Sequence, residues 1–288
     1  MIDFVLASTP LLYAGVFVLG ALIGSFLNVL ILRLPPLLEY DWRCQCRELL
    51  ELDPEAANRP PGIVVSRSRC PQCGHSIRAW ENVPLFSYAL LGGKCSACKT
   101  RVSARYPVVE LLTAMLFVVT MWHFGPTLQG ASALFLTASL VVMAGIDIDH
   151  QLLPDNLTLP IMWAGILLSL WNVHTDLESS IIGAMAGYLV LWSIYHLFRL
   201  LTGKEGMGYG DFKLLAALGA WMGWQMLPLV VLLSSVVGAG VGLFLMGAGR
   251  LKRDKPMPFG PFIAAAGWIA LIWGADIIEF YGGPGTFG

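Results

Sequence analysis

Apolar residues fall in eight runs along this chain, at 11–32, 108–124, 128–146, 157–173, 181–201, 212–224, 227–247 and 259–280, parted by polar loops. Most are long enough, at about 1.5 Å per helical residue, to cross a hydrocarbon core of roughly 30 Å. The run 212–224 is the short one, which points to a tilted, kinked or partly crossing helix. The pattern predicts an all-α polytopic membrane protein with about eight transmembrane helices. Composition strengthens it: 56% of residues are hydrophobic, 13% are charged and the mean hydropathy is +0.68, so most of the surface belongs in lipid. The first run lacks the basic start and small-residue cleavage site of a secretory signal, so it is expected to be retained. Ser25 and Asn28, near its end, are polar within the membrane and are expected to face other helices.

Between the first two runs the character changes. Residues 33–105 carry eleven of the eighteen Lys and Arg residues and all six cysteines. Cys70-Pro-Gln-Cys73 and Cys95-Ser-Ala-Cys98 are two CxxC pairs with a linker of zinc-ribbon length, and four thiolates at this spacing suit tetrahedral Zn²⁺. A small polar insertion of this kind gains its fold from the metal. Disulfides or a redox CxxC are the other readings, and a cytoplasmic location argues against disulfides. Cys44 and Cys46 are read as free thiols. The expected organisation is a first transmembrane helix (1–32), a cytoplasmic zinc-binding domain (33–106) and a membrane-embedded domain (107–288).

Charge distribution then orients the chain. Every Lys and Arg lies in or at the edge of the loops 33–106, 147–156, 199–211 and 249–258, including Arg250, Lys252, Arg253 and Lys255 in the last. The opposite loops hold Asp176, Glu178, Asp276 and Glu279 but no base. The positive-inside rule predicts both termini outside and the polar insertion in the cytoplasm.

That orientation brings two acids to one depth. Asp147 closes the third run and Asp211 opens the sixth, after Gly208-Tyr209-Gly210, so both sit at the cytoplasmic boundary. A carboxyl pair sharing one proton can serve as base towards water and acid towards a leaving amine. The glycines permit close backbone approach or positive φ, so an extended peptide could lie beside Asp211. Asp149 and Asp155 share the Asp147 loop and form a negative rim suited to a cationic segment, or ordinary solvated loop charge. Glu110 is an isolated acid in an apolar run, expected to pair with Arg105 or to line a cavity. Gly183, Gly187, Gly238, Gly240 and Gly242 are expected to let helices approach closely.

Taken in order, Gly24-Ser25-Phe26-Leu27-Asn28-Val29 before Arg33-Leu34-Pro35, the double CxxC, Asn82-Val83-Pro84, Arg105-Tyr106-Pro107-x-x-Glu110, Asp147-Ile148-Asp149 through Pro154-Asp155, and Gly208-x-Gly210-Asp211 with Lys213 resemble the bacterial type IV prepilin peptidases. The resemblance covers nearly the whole chain. It implies a bifunctional enzyme of the bacterial inner membrane, which cleaves the basic leader of type IV prepilins and type II secretion pseudopilins after Gly. It then N-methylates the new terminus with S-adenosylmethionine. It maps the catalytic pair onto Asp147 and Asp211. Asp149, Asp155, Gly208 and Gly210 become candidate substrate contacts, Cys70, Cys73, Cys95 and Cys98 the zinc ligands, and Gly92-Gly93 a candidate methyl-donor region. No nucleic-acid partner is expected. Two other readings remain at this point: a presenilin-like protease cutting within helices, and a proton- or metal-coupled transporter. The second expects acids near the midplane and repeated halves, which the sequence does not display.

Overall fold

The computed structural model describes residues 9–53, 55, 57–64, 66–204, 206–249 and 257–282. The basic stretch with Arg250, Lys252, Arg253 and Lys255 lies outside the described residues. Every regular element among those described is helical, and extended pairing is confined to two isolated bridges, Arg69 with Ser76 and Lys94 with Arg101. The chain forms two compact units, residues 1–126 and 127–288.

The first unit contains α1 (Thr9–Leu49), a 3₁₀ turn (Ala79–Asn82), α2 (Phe86–Leu90) and α3 (Arg105–Phe124). α1 and α3 pack through small residues: a Cβ added at Gly20 would lie 2.7 Å from the Ala114 Cα, and one at Gly24 would lie 2.8 Å from the Glu110 Cα. Without side chains there the two backbones approach closely and gain dispersion contacts that lipid cannot supply. Asn28, expected to face another helix, does so: its Nδ2 donates to the Tyr106 carbonyl at 3.1 Å. α1 does not stop where its apolar run ends at Leu32, but continues through Pro35 and Pro36. Proline's fixed φ is compatible with a helix, but each one inside removes a hydrogen bond and crowds the carbonyl one turn earlier, and the chain stays helical through both. Arg33 anchors this stretch, its Nη1 donating to the carbonyls of Gly62 and Ser66, both at 2.8 Å. The boundary drawn at 106 marks the end of the polar segment; by packing, α3 joins α1 in the first unit.

The second unit contains α4 (Leu128–His150), α5 (Asp155–Ser169), α6 (Leu177–Thr202), α7 (Tyr209–Met222), a 3₁₀ turn (Trp224–Met226), α8 (Leu227–Gly247) and α9 (Gly260–Gly282). Among the described residues six helices are long and apolar enough to cross a membrane: α1, α3, α4, α6, the 3₁₀ turn with α8, and α9. The chain is a multi-pass membrane protein. α5, with 15 residues, and α7, with 14, fall short of that length. Nearly all the side chains of α7 are buried, and α5, α6 and α9 pack around it. A helix apolar on all faces is enclosed by its neighbours rather than by lipid.

α6 meets α7 backbone to backbone. A Cβ added at Gly219 would overlap the Gly183 carbonyl, and one at Gly187 would lie 2.6 Å from the Leu215 carbonyl oxygen. The Ser180 hydroxyl donates to the Ala220 carbonyl at 2.6 Å, and Trp221 Nε1 donates to the Ile161 carbonyl at 2.8 Å, which ties α5 and α6 to the same central helix. Gly219→Ala is therefore expected to force the helices apart, costing about 2 kcal/mol from overpacking. A lowered midpoint of thermal unfolding in detergent is the readout. Of the other glycines expected at packing faces, among the described residues Gly238 and Gly242 find ordinary contacts at 3.4 Å, and Gly240 meets nothing within 4 Å.

Candidate active site and metal centre

Asp147 lies in the last turns of α4, where the helix ends on Gln151 in the left-handed conformation, its amide bonded to the Asp147 carbonyl at 2.9 Å. The chain then turns through the buried pair Leu153 and Pro154 into α5. Asp211 lies in the first turn of α7, after the extended Gly208, with its amide donating to the Gly208 carbonyl at 3.2 Å. The two carboxyl groups, 5% and 6% exposed, lie within electrostatic reach of one another. Two acids from distant parts of the chain thus converge in one unit.

Glycine and leucine make the convergence possible. A Cβ at Gly210 would come 2.6 Å from the Leu153 Cβ, so the start of α7 rests directly on the turn that follows Asp147. Leu153 also abuts Gly260, the first residue of α9, whose amide donates to Asp147 Oδ2 at 2.9 Å. That contact sets the positive end of α9 against the carboxylate. Asp211 differs: its Oδ1 is buried and, among the described residues, has no hydrogen-bond partner. A buried carboxyl oxygen left unpaired is costly and marks a place where a water or substrate group belongs. Gly208 has negative φ and, among the described residues, nothing closer than 4.0 Å to an added Cβ, so crowding explains Gly210 and leaves Gly208 without a packing reason.

Gly260 and Leu153 were not anticipated from sequence. The available signal was Pro258-Phe259-Gly260-Pro261 after a basic loop, the start of a helix with a glycine where an amide must be offered closely. A Cβ at Gly260 would lie 2.7 Å from Asp147 Oδ2. Gly260→Ala is expected to push the carboxylate off its position and lower kcat for the pair's chemistry by about tenfold or more, with little change in KM.

The rim acids do not join this pair directly. Asp155, at the first position of α5, receives Lys213 Nζ of α7 on both oxygens, at 2.6 and 2.7 Å. Asp149 is exposed, as is His150. Glu110, buried in α3, is held by the Leu85 amide at 2.8 Å and by the Ser25 hydroxyl.

The four paired cysteines converge in the first unit, their sulfurs all within 4.8 Å of one another, with Cys70 to Cys98 at 3.8 Å and Cys73 to Cys95 at 4.0 Å. Four sulfurs about 2.3 Å from a common zinc would stand about 3.8 Å apart, so the cluster fits a tetrahedral ion. The two CxxC turns repeat one design. The Cys70 amide bonds the His75 carbonyl and the Gly74 amide returns to the Cys70 carbonyl; the Cys95 amide bonds the Thr100 carbonyl and the Lys99 amide returns to Cys95. Gly74 takes positive φ in the first turn and Lys99 takes it without glycine in the second. The Thr100 hydroxyl and amide pull the Cys98 thiol down to about 6, whereas at Cys73 the His75 amide is outweighed by burial and the neighbouring thiols, which push it up to about 11. Nearby, the Arg78 amide, aided by the Ser96 hydroxyl, holds the Glu81 carboxyl down at about 2, and the same carboxylate meets His75 Nε2 at 3.3 Å. Cys44 and Cys46 are free and stand on α1, outside the cluster. A cavity of about 580 Å³ lies beside the cluster, and Gly93 but not Gly92 is in its wall.

Comparison with known proteins agrees with the sequence-based resemblance. The family described as "Bacterial Peptidase A24 N-terminal domain" matches residues 18–124, and the "Type IV leader peptidase family" matches residues 134–243. A protein of Stutzerimonas stutzeri named prepilin leader peptidase/N-methyltransferase is 53% identical over 277 residues, covering 96% of each chain. Proteins of the same name from Pseudomonas aeruginosa (52%, 96% of each chain) and Aeromonas hydrophila (53%, 94% of each) are similarly close. No solved structure matches.

Proposed function

The chain belongs to the bacterial type IV leader peptidase family, and from that premise we propose that it is a prepilin leader peptidase and N-methyltransferase in which Asp147 and Asp211 perform the cleavage. The observation that carries the assignment is the convergence of two buried carboxyls, one of which has an oxygen without a partner among the described residues. One carboxyl, ionised, takes a proton from water as the water oxygen bonds to the carbonyl carbon of the leader's last Gly. The other, protonated, gives its proton to the amide nitrogen as the C–N bond breaks. The pair titrates jointly, so neither role is fixed to one residue. Among the described residues none crowds Gly208, which supports a path for the extended substrate backbone beside Asp211.

The substrates proposed are type IV prepilins and type II pseudopilins, whose basic leader precedes a lipid-embedded helix. The proposed setting is the inner membrane, with both termini periplasmic and the cysteine cluster and aspartates at the cytoplasmic face. The one-sided distribution of Lys and Arg supports it. The metal proposed for Cys70, Cys73, Cys95 and Cys98 is zinc, because four thiolates near tetrahedral spacing are its usual structural set. S-adenosylmethionine supplies an activated methyl whose bond to sulfur breaks, the electron pair staying on sulfur, as the bond to the amine forms and a proton leaves the nitrogen.

Purified protein in detergent, given a prepilin and labelled S-adenosylmethionine, is expected to release the leader and label the new N-terminus. Failure to cut any leader-bearing substrate, with uptake of protons or metal instead, would return the transporter reading. The rim acids separate by their partners. Asp149→Asn is expected to raise KM for basic leaders about threefold, the modest effect of removing one exposed charge. Asp155→Asn frees Lys213 and is expected to lower kcat more than it raises KM. An unchanged KM in the first variant removes Asp149 from leader binding.

A further inference from the structure

We propose that Lys213 is a positioning residue for leader cleavage: clamped to Asp155, it fixes the rotation of the first turn of α7 about its own axis and so sets where Asp211 stands against Asp147. This role rests on the peptidase reading above and concerns how that site is held. Lys213 Nζ lies 2.6 and 2.7 Å from the two oxygens of Asp155. The pair joins the segments that carry the two acids. Lys213 follows Asp211 by two residues, and Asp155 heads α5 directly after the turn that leaves Asp147.

Spacing along α7 shows what the pair adds. Gly210 and Lys213, three residues apart, share the face that meets the start of α5: the first rests on Leu153 and the second grips Asp155. Tyr209 and Phe212, also three apart, share a second face, and the buried ring of Tyr195 on α6 packs against both, with centroids 5.4 and 5.7 Å away. At about 100° per residue these two faces are neighbours, and Asp211 falls on the opposite side of the helix from them. The turn is therefore held from behind while its carboxyl stands within electrostatic reach of Asp147. Resting on Leu153 alone, this end of α7 is free to roll. A carboxyl at the helix surface, roughly 6 Å from the axis, moves about 1 Å for every 10° of roll, and a displacement of that size can cost about a hundredfold in rate. The bonds of Ser180 to Ala220 and of Trp221 to Ile161 tie α7 at its far end, which leaves the ion pair and the rings to hold the end that carries Asp211. With side chains 27% and 52% exposed, Lys213 and Asp155 contribute little to global stability, so their effect is read in the rate.

The test uses the full chain in detergent and measures kcat and KM for cleavage of a prepilin with a basic leader, together with the midpoint of thermal unfolding. Lys213→Met, which keeps an unbranched side chain and good helix propensity while removing the charge, is expected to lower kcat about tenfold with KM within about twofold. The unfolding midpoint should move by no more than about 3 °C. Lys213→Arg, which restores the charge, should return kcat to within about threefold of wild type. Adding Asp155→Asn to Lys213→Met should cost nothing further, because the two residues act as one clamp. A role in binding the leader gives different signs: Asp155→Asn would raise KM, and Lys213→Met, which frees Asp155 for the leader's cations, would lower it, with kcat unmoved in both. That pattern, wild-type kinetics in Lys213→Met, or losses that multiply in the double variant overturns the clamp and leaves the peptidase reading intact. If Lys213→Met fails to fold, Asp155→Asn and Lys213→Arg decide by the same division between kcat and KM. Wild type that cuts no leader overturns both.

Discussion

Asp147→Asn and Asp211→Asn are each expected to abolish leader removal, by at least about a thousandfold in kcat, with binding of S-adenosylmethionine unchanged. The size follows from the chemistry. Water is a poor nucleophile and an amide nitrogen a poor leaving group, and one shared proton must be taken from the first and given to the second. An amide side chain can neither take nor give it, and a thousandfold corresponds to about 4 kcal/mol of lost transition-state stabilisation. Both substitutions preserve shape. The asparagine that replaces Asp147 can still accept from the Gly260 amide through its carbonyl, so a lost activity cannot be attributed to a lost contact. The asparagine that replaces Asp211 adds a donor at the position where the wild-type Oδ1 lacks a partner among the described residues. The double variant should be no worse than either single one, because the pair acts as a unit. If either single variant cuts at more than about a tenth of the wild-type rate, the dyad is wrong.

The second large effect separates the two activities by unit. Stripping the metal with a strong chelator, or replacing Cys73 and Cys98 with Ser, is expected to unfold the segment 68–101 and reduce methyl transfer to processed pilin by about a hundredfold or more. Structural zinc contributes on the order of 10 kcal/mol to small domains of this kind, far above what the two isolated bridges and short turns can supply. Leader cleavage should fall by no more than about threefold, since Asp147, Asp211, Leu153 and Gly260 all belong to the other unit. Restoring zinc to the chelated protein should restore methylation. Equal loss of both activities on chelation would mean that the first unit also serves cleavage, through leader binding or through support of the second unit. Metal analysis of the purified protein identifies the ion independently.

Much of the site was legible in the chain because its chemistry is carried by residue types that are rare in their surroundings. Cys70, Cys73, Cys95 and Cys98 announce a tetrahedral cluster by spacing alone, since two short CxxC turns leave the sulfurs few other arrangements. Asp147 and Asp211 stand out because each sits at the end of an apolar run, both at one membrane boundary, and an acid retained there has a reason. Gly260 was missed because its role is to have no side chain and to offer a backbone amide, which no composition rule reports. The pairing of Asp155 with Lys213, 58 positions away, was not legible because it depends on how α5 meets α7. Glu110 looked ready to pair with Arg105, a turn or so earlier in the same segment, and its hydrogen bonds are instead to Leu85 and Ser25.

The all-helical membrane class, the helix positions, the metal cluster and the identity of the two central acids follow from the chain alone. Each rests on a local property, namely length and apolarity of a run, or ligand type and spacing along a few residues. Packing supplied the rest: that α7 is enclosed by protein rather than by lipid, that Gly183 and Gly219 let α6 close on it, and that Leu153 and Gly260 set the two carboxyl groups at one site. Close approach between distant segments depends on the shape of both partners at once, and hydropathy records only one segment at a time.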